Sequence, residues 1–103
     1  MAYSYIVLEE AQLEFEAIVL YLLELGDGPS AATDFIDEFD RQMDLICQNP
    51  NLYSLSRFLW LANRGYHMMQ INNYGALYRV RDEVISVEHF FHQSQSYEHF
   101  KID

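Results

Sequence analysis

The chain has 103 residues, of which 50% are apolar and 16% aromatic. That is enough to build one hydrophobic core and too little for two, so a single domain over residues 1–103 is expected. Four glycines and two prolines exclude collagen-like and low-complexity classes, and no apolar run approaches the roughly 20 residues that cross a bilayer. The first residues, Met1-Ala2-Tyr3-Ser4-Tyr5, lack the basic start and small-residue cleavage site of a secretion signal. One cysteine, Cys47, forms no internal disulfide, so the expected compartment is the cytoplasm. The formal charge is −10, and it is lopsided: residues 1–51 hold eleven acids and one base, whereas residues 52–103 hold five of each. Such a field repels polyphosphate and offers few cations to displace counterions, so strong direct nucleic-acid binding is not expected. The acidic half is either a well-solvated helical surface or a docking surface for a basic partner.

Tyr3–Leu8 carries β-branched and aromatic residues, with Tyr3, Tyr5 and Val7 on one face, and reads as a short strand. From Glu9 the period changes, and Ala11, Phe15, Ile18, Val19, Leu22 and Leu25 trace an apolar stripe of helical spacing with glutamates opposite. Gly26-Asp27-Gly28-Pro29 stops that helix. Ser30 is placed to cap a second one, running to about Gln48, with Ala32, Phe35, Ile36, Phe39, Met43 and Ile46 inward. Two antiparallel helices with so short a link form a hairpin. Residues 52–63 read as an irregular connection. Beyond it the period falls to two: Gly65–Ile71, an Asn72-Asn73 turn, Tyr74–Val80, a turn at Arg81-Asp82-Glu83, and Val84–Phe91. The expected fold is α+β, in the order β-α-α-β-β-β: a curved, mostly antiparallel four-stranded sheet with the helical hairpin on one face.

Four pieces of the chain, in order and with matching gaps, resemble the RelE/ParE superfamily of bacterial toxin–antitoxin toxins, and within it the ParE-like or plasmid-stabilisation members. They are Tyr21-Leu22-Leu23-Glu24-Leu25-Gly26 running into Pro29-Ser30 and Ala32, then Phe35, Phe39, Met43, Ile46 and Pro50, then Arg64-Gly65-Tyr66 with Asn73-Tyr74 and Leu77-Tyr78-Arg79-Val80, and finally Phe90-Phe91-His92 with Tyr97. The resemblance implies a small toxin neutralised by a cognate antitoxin. ParE-type members act on DNA gyrase, whereas RelE-type members cleave messenger RNA on the ribosome. Cleavage needs lysines and arginines to hold phosphates, with a Tyr, His or Glu for proton transfer. Where RNA-cleaving relatives carry an arginine after the tyrosine that opens the third strand, this chain has Gly75, and Gln93, Ser94 and Gln95 stand where relatives place basic residues. The alternatives are therefore a RelE-like ribonuclease with a degenerate site and a non-toxic interaction module of the same fold.

The catalytic candidates are His92, Tyr97 and Arg79, and the partner-binding candidates are Arg64, Arg81, Trp60 and Phe91. The arginines are either the remnant of a binding surface or paired with nearby carboxylates such as Asp82 and Glu83. Tyr66, Tyr74, Tyr78 and Phe90 resemble a base-stacking platform but are expected to be core and cross-strand packing. His89 and His92, three apart on a strand, point to opposite faces, so no metal and no cofactor are expected. The partners the resemblance implies are an antitoxin, with gyrase or the ribosome as the target, and a homodimer is compatible with the apolar run Leu59-Trp60-Leu61.

Overall fold

The computed structural model describes residues 3–25, 28–53 and 62–92. Strand β1 (Ser4–Val7) leads into helix α1 (Glu9–Glu24) and helix α2 (Pro29–Gln48), followed by strands β2 (His67–Ile71), β3 (Tyr74–Arg81) and β4 (Val84–His92). The strands form one sheet in the order β1-β4-β3-β2. The last three make an antiparallel meander, and β1 returns beside β4 in parallel, Tyr5 opposite Ile85 and Val7 opposite Val87. The architecture is α+β with a helical hairpin, as the residue pattern implied.

The helix ends follow from local chemistry. Glu9 and Glu10 lie in the first turn of α1, where the helix dipole favours negative charge. At the far end Leu25 N–H donates to the Tyr21 carbonyl and Gly28 N–H to that of Leu22. Gly28 adopts φ +88°, which a side chain would disfavour, and Pro29 opens α2 with its φ already helical. The cap position of α2 is thus Gly28 and not Ser30: proline needs no N-terminal partner for its missing N–H, so the helix begins earlier. Leu25, the expected last member of the α1 stripe, is 75% exposed, because the helix has ended at Glu24.

Two two-residue turns link the meander. Asn72 and Asp82 take φ 54° and 58°, the left-handed conformation that Asn and Asp tolerate best among residues with a side chain. Arg81 belongs to β3 and pairs with Val84, so the second turn is tighter than the sequence suggested.

The core lies between the sheet and both helices. Ala11, Phe35, Phe39, Met43 and Ile46 from the helices meet Met69, Ile71, Tyr74, Ala76, Tyr78, Ile85, Val87 and Phe90 from the strands. Each fully buried side chain of this size stabilises by about 1.5–3 kcal/mol relative to exposure. Phe15 ties α1 to α2 and β4, its ring 5.2 Å from Phe35 and 5.3 Å from both Phe39 and Phe90. Of the supposed stacking platform, Tyr74, Tyr78 and Phe90 belong to this core.

The irregularity that shapes the site is in β4. Leu77 pairs with His89 but Tyr78 pairs with Val87, leaving Glu88 as an extra residue in a β-bulge. Before the bulge Ile85 and Val87 face the helices; beyond it Phe90 does, and His89 and Phe91 turn to the far face.

Candidate functional site

The bulge gathers polar groups on the sheet face away from the helices. Glu88, only 8% exposed, receives four hydrogen bonds. Arg79 donates Nε to Oε2 at 2.8 Å and Nη2 to Oε1 at 3.0 Å, Tyr66 Oη donates to Oε1 at 2.8 Å, and Ser86 Oγ donates to Oε2 at 3.0 Å. The Arg79 guanidinium also lies 4.5 Å above the Tyr66 ring, so one arginine is held by a carboxylate and an aromatic face together. Burial alone would raise the Glu88 pKa, but the hydrogen bonds from Arg79, Tyr66 and Ser86 outweigh it and hold the carboxyl below its ordinary range. Burial, and then the Glu88 carboxylate, push the Tyr66 phenol up to about 12. Near neutral pH the cluster is therefore an ionised acid, a charged arginine and a neutral phenol. Each oxygen of Glu88 already accepts two hydrogen bonds, and the pair carries no net charge.

A groove of about 410 Å³ runs along this cluster toward the β1 edge, lined by Ile6, Leu8, Arg79, Arg81, Asp82, Val84, Ser86 and Glu88. It brings Arg79 and Arg81 together. A second groove, about 530 Å³, opens between α1 and the end of β4 and is lined by Glu14, Ala17, Ile18, Tyr21, Tyr74, Phe90, Phe91 and His92. His92 is exposed there, its ring edge-on to Tyr74 at 5.1 Å. Arg64 sits in the turn before β2, close enough to Tyr66 for its charge to act on that phenol. His92 and Arg79 therefore belong to different grooves. Trp60 and Tyr97 lie outside the described residues.

Phe91 explains Gly75. A Cβ built on Gly75 would lie 2.6 Å from Phe91 Cζ, so the ring occupies the space where a longer side chain at position 75 would begin. An arginine there requires Phe91 to leave, and the two residues are matched to each other.

Three contributors were not legible beforehand. Arg79 pairs with Glu88 across the strands, and not with Asp82 or Glu83 in the adjoining turn. Nothing in the local sequence marks a bulge at Glu88. Glu14 reads as one more acid on a solvated helix, yet its Oε1 accepts the Phe90 N–H at 3.1 Å and lies 3.5 Å from His89 Nδ1. Among the described residues no strand pairs with β4 on this edge beyond the end of β1, and Glu14 takes up the Phe90 N–H there. The Glu14 carboxylate raises the pKa of His89, more than burial lowers it. Among the described residues no group of three His, Cys, Asp or Glu is arranged to hold a metal ion, and no helix is long and apolar enough to cross a membrane.

A helical hairpin on an open, mixed four-stranded sheet is an architecture already seen in a solved chain described as the chromosomal ParDE TA system from P. aeruginosa. The two share a TM-score of 0.66 over 88% of this chain and 96% of that one, at 18% identity, a likeness of fold. The family model for the ParE toxin of the type II toxin–antitoxin system, parDE, matches residues 5–97. The chain belongs to the ParE toxin family. A search of curated proteins gives no significant match.

Proposed function

We propose that this chain is the toxin of a type II toxin–antitoxin pair that acts by binding its target, with DNA gyrase as the first candidate, and is neutralised when a cognate antitoxin covers it. The observation that carries this reading is the commitment of Arg79 to Glu88. Cleaving a phosphodiester requires donors aimed at the charge that develops on phosphate, and each donor removed costs about 10²–10³ in rate. Arg79 instead spends its charge on a carboxylate held in the same sheet. The Tyr66 phenol, with its pKa pushed up to about 12 and its O–H donated to Glu88, is poorly poised to exchange protons at neutral pH. Gly75 is packed beneath Phe91, which leaves no place for a further arginine. The overall charge of −10 adds long-range repulsion toward RNA.

Regulated expression tests it. Induced alone, the chain should arrest growth, and co-expression of the adjacent antitoxin gene should restore it; purified chain should inhibit supercoiling by gyrase in vitro. Arrest with unimpaired gyrase redirects the search for a target. Normal growth on strong induction contradicts a toxin and favours a non-toxic interaction module.

A further inference from the structure

Helix α1 has a second apolar surface that the other described residues do not cover. Its inner stripe, Phe15, Ile18, Val19 and Leu22, packs on the core around the fully buried Ala11. On the outer side Leu13 and Leu20 remain 60% and 56% exposed. A helix apolar on more than one side is normally buried on more than one side. The exposed leucines are also spaced. Glu9, Leu13, Glu16, Leu20 and Glu24 follow one another three or four residues apart, so carboxylates and leucines alternate along one line of the helix surface. α1 holds five glutamates and no lysine or arginine. α2 is the internal contrast: it exposes Asp34, Asp37, Asp40 and Asp44, but Leu45 is its only large apolar side chain left in solvent. α2 has the look of a solvated surface, whereas α1 has the alternation of a contact surface.

We propose that the outer face of α1 docks an amphipathic helix of the partner protein, with apolar side chains against Leu13 and Leu20 and lysines or arginines between them against Glu9, Glu16 and Glu24. Charge complementarity selects this occupant. An acidic helix laid on the same line would set carboxylate against carboxylate, and a wholly apolar one would leave the glutamates desolvated without partners. Under the toxin reading the segment belongs to the antitoxin, and the inference rests on that reading for the partner's identity. The chemistry of the face is a property of α1 itself.

The test uses the full chain and three fluorescent peptides of about the length of α1: a helical Leu/Lys peptide with the matching alternation, its Leu/Glu counterpart, and a scrambled Leu/Lys peptide of the same composition. Anisotropy titration should show binding of the first alone, weakening severalfold between low and high salt as the ion pairs are screened. The Leu13→Asp/Leu20→Asp variant should lose that binding. Glu9→Gln/Glu16→Gln/Glu24→Gln, which leaves the apolar surface untouched, should weaken it about tenfold at low salt, about 0.5 kcal/mol per exposed pair. Asp34→Asn/Asp37→Asn/Asp44→Asn on α2 should leave it unchanged. Equal binding of the scrambled peptide, preference for the Leu/Glu peptide, or an equal loss from the α2 variant overturns the proposal. A chain that arrests growth but fails with the peptides sinks the docking proposal alone. A chain that binds the Leu/Lys peptide but arrests nothing sinks the toxin reading alone.

Discussion

On the helix side of the sheet, aromatic rings from α1, α2 and β4 pack 5.2–5.4 Å apart around Phe15, and burial needs no polar partner. On the far side Glu88 is buried just as thoroughly, but as an ion, satisfied by Arg79, Tyr66 and Ser86 at once. The first surface owes its stability to volume and close packing, so it responds in proportion to what is removed. The second depends on every partner being present, and it fixes the charge of an arginine that a nuclease would need elsewhere. The bulge that delivers Glu88 to the far face is also what pairs the charge of Arg79.

The largest expected effect comes from the apolar side. Phe90→Ala removes a ring shared by Phe15, Phe35 and Phe39 and should cost about 3–5 kcal/mol, measured by urea unfolding. On the polar side Glu88→Ala should cost about 3 kcal/mol, because Arg79 and Tyr66 lose their acceptor together. The double variant Glu88→Leu/Arg79→Met should recover most of that loss; if it is as unstable as the single variant, the cost lies in packing and the contrast between the faces fails. Gly75→Ala should cost about 2 kcal/mol through the clash with Phe91, and adding Phe91→Leu should relieve it. The smallest effects are those of pH. Glu88 has a lowered pKa in the fold, so its contribution is present above the unfolded carboxyl value of about 4.3 and is lost as pH falls through the folded value. His89 has a raised pKa, so its contribution is full below about 6.5 and fades as pH rises through the folded value. Relative to His89→Gln, the native chain should therefore be more stabilised at pH 6 than at pH 8, in unfolding curves compared at the two values.

What could be read from the residues was whatever local chemistry determines. Helical spacing in α1 and α2, the proline after Gly28, and Asn72 and Asp82 at positions needing positive φ all act within a few residues. The hairpin and the meander follow from them. The parallel return of β1 to β4 and the sealing of Phe90 by Glu14 join residues far apart in the chain and leave no local trace. In β4, strict alternation would align Ile85, Val87, His89 and Phe91 on one face. The bulge breaks that alternation, sending Phe90 to the core and His89 and Phe91 to the far side. Arg79 was recognisable as a candidate from the pattern around Tyr78. Its partner was not, because Glu88 is reached across the sheet and not around a turn.

The most direct test of a toxin that binds and does not cut is to map messenger 5′ ends in a translating extract supplied with the purified chain. The same ends are expected with and without it. Cuts at defined codons would contradict a toxin that only binds. If they disappear with Arg79→Ala, the charge held by Glu88 is available to phosphate, and if they disappear with His92→Ala, the chemistry lies in the groove between α1 and the end of β4.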